Sequence, residues 1–135
     1  MAFDQTLTTQ AKLVALQALS AGTLKMALYT ANADLNAGTL VYTTSNEVVG
    51  TGYTAGGITL TNVTVLTSGT TAYLDFSDVV WNPAVFTTRG ALIYNTNLSN
   101  LAVAILDFGA DKTATTTFTV QTPANTATAA LIRFA

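Results

Sequence analysis

The chain has 135 residues, half of them hydrophobic and only 9% charged, with a formal net charge of −2 and neither His nor Cys. This length suits one domain with its own core. Missing Cys excludes disulfides, thiolate nucleophiles and Cys-ligated zinc, and missing His removes the commonest general base near neutral pH. Five basic residues against seven acidic ones argue against nucleic acid as a partner, because affinity there comes from neutralising phosphates. Mean hydropathy is +0.43, but no apolar run approaches the length of about 20 residues that a spanning helix needs, so no membrane partner is expected. Asp4 stands where a signal peptide would carry basic residues, and no extended apolar stretch follows it. Composition points to a protein that is not an enzyme and uses no cofactor or metal.

About a fifth of the residues are threonine. Thr is β-branched and carries a hydroxyl, so it suits the outward face of a half-buried strand. Natural surfaces are normally richer in charge. A Thr/Ala surface loses little on desolvation, because a hydroxyl is far easier to remove from water than an ion. Such a surface fits burial against neighbours in an assembly.

One helix is expected, from Thr8 to Ser20, with Ala11, Val14, Ala15 and Ala18 at helical spacing and Leu13, Leu16 and Leu19 widening the stripe. Thr8 or Thr9 can cap it, and Gly22 stands where a left-handed C-terminal glycine belongs. After Gly22 the period changes to two. Leu24, Met26 and Leu28 mark a first strand ending near Thr30, and Leu40–Thr44 reads as a second after a loop over 32–38. The stretch 46–57, with four glycines, is a long excursion. Ile58–Leu66 changes parity at Asn62, which suggests a bulge or a strand that changes face. Ser68–Gly69 turns the chain into Ala72–Phe76; Val79–Trp81 then ends at Asn82–Pro83. Strands over Phe86–Asn95, Leu101–Phe108, Ala114–Gln121 and Thr128–Phe134 follow, separated by turns at 97–100, 109–112 and 123–125.

Together these make about eight strands at sandwich-like spacing. No helical period that could serve a parallel crossover survives past Gly22. The expected fold is all-β: an antiparallel, jelly-roll-like β-sandwich forming one domain over 1–135, with 1–22 as an N-terminal arm and helix.

Few motifs carry chemistry. Gly50-Thr51-Gly52-Tyr53-Thr54-Ala55 formally matches a dinucleotide fingerprint, which works only when the glycines open a helix. Here Gly56, Gly57 and a strand follow, so a glycine-rich β-loop is the better reading. Asp75 with Asp78, and Asp107 with Asp111, are paired acids flanking turns; turn residues capping their own backbone explain them better than hydrolysis or calcium. Trp81, Phe86 and the five tyrosines could form a sugar-stacking surface, yet their scatter over strands reads as core packing. The sequons at Asn62 and Asn97 matter only in a secreted eukaryotic protein. Arg89 is an isolated arginine inside a strand and needs a carboxylate, from Asp75, Asp78 or a neighbouring subunit. Met1–Leu7 carries exposed-looking Phe3 and Leu7 and reads as an arm that packs on a neighbour. Phe3, Leu7 and Arg89 are thus the candidate interface residues.

Four segments carry a resemblance: Lys25–Thr30 (KMALYT), Glu47–Gly57 (EVVGTGYTAGG), Val80–Asn95 (VWNPAVFTTRGALIYN) and Ala102–Lys112 (AVAILDFGADK). In this order after a short helix, they resemble a family of small virion structural proteins of tailed bacteriophages, with GTGYTAGG and TTRGALIYN as the specific part. The resemblance spans most of the chain from Lys25 to Phe134 and implies a virion location without catalytic residues. It leaves open a capsid decoration (cement) protein on the major capsid protein, a tail, fibre or head–tail connector component, or a host-receptor-binding module. Low charge, a compact β-domain and available strand edges fit the decoration role best. A homotrimer is expected from the resemblance alone.

Overall fold

The computed structural model describes residues 3, 5–122 and 130–134. Helix α1 (Thr9–Ser20) starts where Thr8, in extended conformation, accepts a hydrogen bond from the Ala11 N–H at 3.2 Å, which satisfies one of the orphan donors of the first turn. Ala21 ends the helix, and Gly22 follows at φ +88°. The helix spans the expected residues, but its inward face differs from the expected stripe. Lys12 and Leu16 are buried, whereas Ala11, Val14 and Ala18 face out. The Lys12 stem lies along the protein and its amine donates to the Thr70 carbonyl at 2.7 Å.

Nine strands are present among the described residues, all paired antiparallel. The fold is mostly β, sandwich-like, with one N-terminal helix. Strands β1 (Leu24–Tyr29), β2 (Ile58–Thr59), β6 (Phe86–Asn95) and β7 (Leu101–Ala114) form a sheet in the order β2-β1-β6-β7. A second layer contains β3 (Thr64–Ser68), β4 (Thr71–Asp75) and β9 (Ile132–Phe134), ordered β3-β4-β9, with α1 against β3 and β4. A two-stranded ribbon joins β5 (Val79–Trp81) to β8 (Phe118–Val120).

The centre of the first sheet, β1 and the second half of β6, is dry on both faces. Leu24, Met26, Leu28, Ala91 and Ile93 meet Leu74, Phe76, Val79, Trp81 and Val120 in the main core. Ala27, Tyr29, Leu92 and Tyr94 pack on the other face under Leu35 and Tyr42 of the excursion between β1 and β2. Both faces being covered explains why β1 and the second half of β6 are apolar runs rather than alternations.

Several expectations need correction. Leu40–Thr44 is not a strand: only Val41 bridges, to Leu101. The parity change at Asn62 (φ +55°) separates two strands in different sheets, β2 and β3, instead of bulging one. The turn expected at 109–112 lies inside β7, absorbed as a register shift opposite Thr88/Gly90, with Gly109 at φ +82°. The strand expected over Ala114–Gln121 is accordingly short, and most of the turn and strand expected from Pro123 onward lies outside the described residues; β9 begins at Ile132.

Gly57 shows why the glycine-rich segment is needed. Its φ is +81°, and a Cβ there would stand 1.8 Å from the Met26 carbonyl oxygen. Gly69 has φ +59° but open space around it. Gly57→Ala is therefore expected to lower unfolding free energy by about 3 kcal/mol or more, and Gly69→Ala by about 1 kcal/mol. Urea denaturation of the two variants checks this, and equal losses would contradict the close approach.

Candidate functional site

Two places gather polar or exposed side chains in ways the core does not require. The first is built around Glu47, the chain's single glutamate. Residues 46–48 run beside the end of β1: the Val48 N–H donates to the Leu28 carbonyl and the Thr30 N–H to the Asn46 carbonyl, both at 3.0 Å. Glu47 bridges Tyr29 there, and its side chain is buried. A buried carboxylate is costly unless hydrogen bonds replace its water. Three donors do so. The Tyr42 hydroxyl donates to Oε1 at 2.6 Å, while the Tyr53 hydroxyl and the Gly56 N–H, the latter at 2.8 Å, donate to Oε2.

The surrounding phenols extend this network. The Tyr53 hydroxyl also accepts from the Leu28 N–H at 3.0 Å, filling the break in the β1 edge between β2 and Glu47. Tyr29 donates to the Thr43 carbonyl at 2.6 Å and Tyr94 to the Gly56 carbonyl at 2.7 Å. Tyr42 and Tyr94 stack with ring centroids 4.6 Å apart. Burial first, then the Glu47 charge (through hydrogen bonds to Tyr42 and Tyr53), pushes the hydroxyls of Tyr29, Tyr42, Tyr53 and Tyr94 above the ordinary phenol range. They stay protonated, as donors must. Chemically, the cluster is an acceptor saturated by neutral donors, suited to locking the excursion onto β1 and β6.

Sequence reasoning missed Glu47. Its only signals are that it is the sole glutamate and opens the EVVGTGYTAGG segment. The glycines there serve backbone approach: a Cβ on Gly52 would lie 1.8 Å from the Pro83 carbonyl oxygen, and β2, not a helix, follows Gly57.

The second place is the outer edge of β7. The segment before Tyr42 covers only its start, where the Ala102 N–H donates to the Leu40 carbonyl at 3.0 Å. Beyond Ala102, no described residue pairs with that side of β7. Shallow depressions flank this edge, and Ile105 contributes to the lining of each. The largest of the three, about 470 Å³, lies between β7 and β8 and is lined by Phe108, Phe118 and Leu131 together with the polar Asp107, Lys112 and Thr119.

Arg89 meets this edge, and its carboxylate is neither Asp75 nor Asp78. Its Nε donates to Asp107 Oδ1 at 3.1 Å, with both side chains well exposed. Asp107 also accepts from the Gly109 N–H at 2.8 Å. Asp78 instead accepts from the Thr122 N–H and hydroxyl, at 2.8 and 3.0 Å. Phe3 and Leu7 lie on the exposed arm, 93% and 46% accessible. The structure thus brings Arg89 to the β7 edge and leaves Phe3 in solvent, with Leu7 about half exposed. Among the described residues, no group of three or more Asp or Glu gathers into a metal site, and no helix is long and apolar enough to cross a membrane.

The aromatic residues are largely internal. Trp81 is 2% exposed and packs beside Tyr53 and Phe118. The Asn97 carboxamide of the second sequon accepts from the Thr23 N–H at 2.8 Å. Asn95, wholly buried, donates to the carbonyls of Leu19 and Ala21, both at 2.8 Å, and so ties the helix end to β6.

Two outcomes follow from the ionisable groups. Glu47→Gln replaces an acceptor oxygen by a donor and leaves a buried hydroxyl or N–H unpaired, so stability should fall by about 2 kcal/mol. Phenols held above their ordinary value give stability that is complete below about pH 10 and lost as pH rises. Ultraviolet titration should therefore show these four tyrosines ionising together with alkaline unfolding.

Asp107 has the opposite sign. The Gly109 N–H first, then Arg89, holds its carboxyl below the usual carboxylate range, so its contribution is present at neutral pH and disappears on acidification through that lowered value. Arg89→Gln should raise the Asp107 midpoint in an NMR titration only partway, because the Gly109 bond remains. No protein-family model, characterised protein or solved structure matches this chain.

Proposed function

We propose that this protein is a non-enzymatic structural component of a tailed-phage virion, and specifically a decoration (cement) protein that binds and stabilises the major capsid shell. The observation that supports it is the exterior. Large apolar side chains stand exposed: Val49 at 95% and Leu40 at 75% in the excursion between β1 and β2, and Phe3 at 93% in the arm. Only 9% of the chain is charged. Exposed apolar residues on an excursion and an arm, with little charge to desolvate, fit contact with neighbouring proteins. The β7 edge, unpaired beyond Ala102 among the described residues, adds backbone donors and acceptors that an assembly partner can use. The reading places the protein on the particle, as a homo-oligomer contacting major capsid subunits.

Copy number and position in the particle test this reading. Gradient-purified virions should contain the chain in many copies, and cryo-electron microscopy of virions carrying a tagged version should show the tag spread over the shell. Density at a single vertex would move the assignment to a tail, fibre or connector component. Absence of the chain from washed virions would overturn the virion role.

A further inference from the structure

We propose that the arm ahead of α1 binds a second copy of this chain, seating Phe3 in the groove between β7 and β8. The acceptor is an aromatic surface with an open end. Phe86, Phe108 and Trp81 all pack against Phe118 with ring centroids 5.8 or 5.9 Å apart, Phe86 and Phe108 edge-to-face. This series runs from the core to the groove, where Phe108 and Phe118 are only half-buried. A further ring fits such a series by the same edge-to-face geometry. The adjoining free edge of β7 offers backbone groups to an extended segment, the usual way a sheet edge takes a peptide.

The donor is on the same chain. Phe3 is 93% exposed, and Gln5, Thr6 and Leu7 are exposed as well. In an extended segment, Phe3 and Leu7 fall on one face, because their spacing is a multiple of two. A five-residue arm reaches about 17 Å.

The two halves are not joined within one chain: Phe3 stays in solvent while its aromatic acceptor is open among the described residues. A second copy supplies the missing half of each. Because arm and groove are different patches, the contact is heterologous, and it closes into a ring where the rotation permits. A formal charge of −2 per copy opposes such close association only weakly. The contact is between copies and does not depend on the shell, so it stands or falls separately from the virion reading.

The test uses the full chain in solution. Phe3 is replaced by the photo-crosslinker benzoylphenylalanine, which keeps an aromatic ring, and ¹⁵N-labelled and unlabelled chains are mixed before irradiation. The expected result is mixed-isotope cross-links from position 3 to peptides spanning 105–121. Same-isotope cross-links alone would mean that the arm folds onto its own chain, and cross-links elsewhere, or none, would equally overturn the proposal.

Light scattering supplies a second readout. Phe3→Ser and Thr119→Lys change exposed residues on arm and groove, and each should weaken self-association about tenfold or more while leaving the thermal unfolding of the isolated chain unchanged. Self-association unaffected by either substitution would overturn the pairing even if the particles still bind the protein.

Discussion

The pairing of β1 with β6 is the constraint on which the rest depends. Six consecutive register pairs, from Leu24↔Asn95 to Tyr29↔Gly90, join two strands whose side chains are buried on both faces. Antiparallel sheets commonly leave one face wet; this one requires cover twice. The second layer supplies one cover and the excursion between β1 and β2 supplies the other. Each large side chain so buried is worth about 1.5–3 kcal/mol, so the excursion is part of the core.

That demand creates the polar problem that Glu47 solves. An irregular segment laid on a dry sheet brings its own N–H and C=O groups out of water, and each needs a partner. Glu47 and four tyrosines provide them with side chains that are mostly ring. Tyr29, Tyr42 and Tyr94 contribute apolar area to the cluster under the excursion and Tyr53 to the main core, while their hydroxyls reach Glu47 and the carbonyls of Thr43 and Gly56. A carboxylate satisfied by neutral donors avoids the second desolvated ion that a buried salt bridge would need.

This division also explains what was readable beforehand. Strand β6 is legible to the residue because Pro83 bounds it on one side and Asn95 and Asn97 on the other, with an apolar run in its second half. The β3–β4 turn was legible from Ser68 and Gly69, and with these elements came the all-β class. Helix α1 was legible in extent but not in rotation. Its Ala and Leu residues surround the axis, and the decisive inward residue is Lys12, whose stem packs while its amine reaches Thr70. Gly109 and Asp111 look like a hairpin turn, yet β7 continues past them because a register shift against β6 takes up the extra residues. Glu47 was invisible because its partners at 42, 53 and 56 converge only when the excursion folds back on β1. The Arg89 partner was missed for a similar reason: Asp107 becomes adjacent only through the β6–β7 register.

The same register bears on assembly. Edge strands of soluble proteins are usually protected by charge, proline or a cover. Along β7 the stretch from Val103 to Leu106 is apolar, and the charges of Asp107, Asp111 and Lys112 come only after it. The excursion that covers one face of the sheet stops short of this edge, pairing no further than Ala102. Among the described residues, nothing else pairs with this side of β7. An edge left open next to an aromatic groove, on a chain that also carries an exposed aromatic arm, is better accounted for by occupation than by tolerance. Occupation of that edge by the arm of a second copy would cover the apolar stretch in every copy, which gives low surface charge a purpose that a free monomer does not.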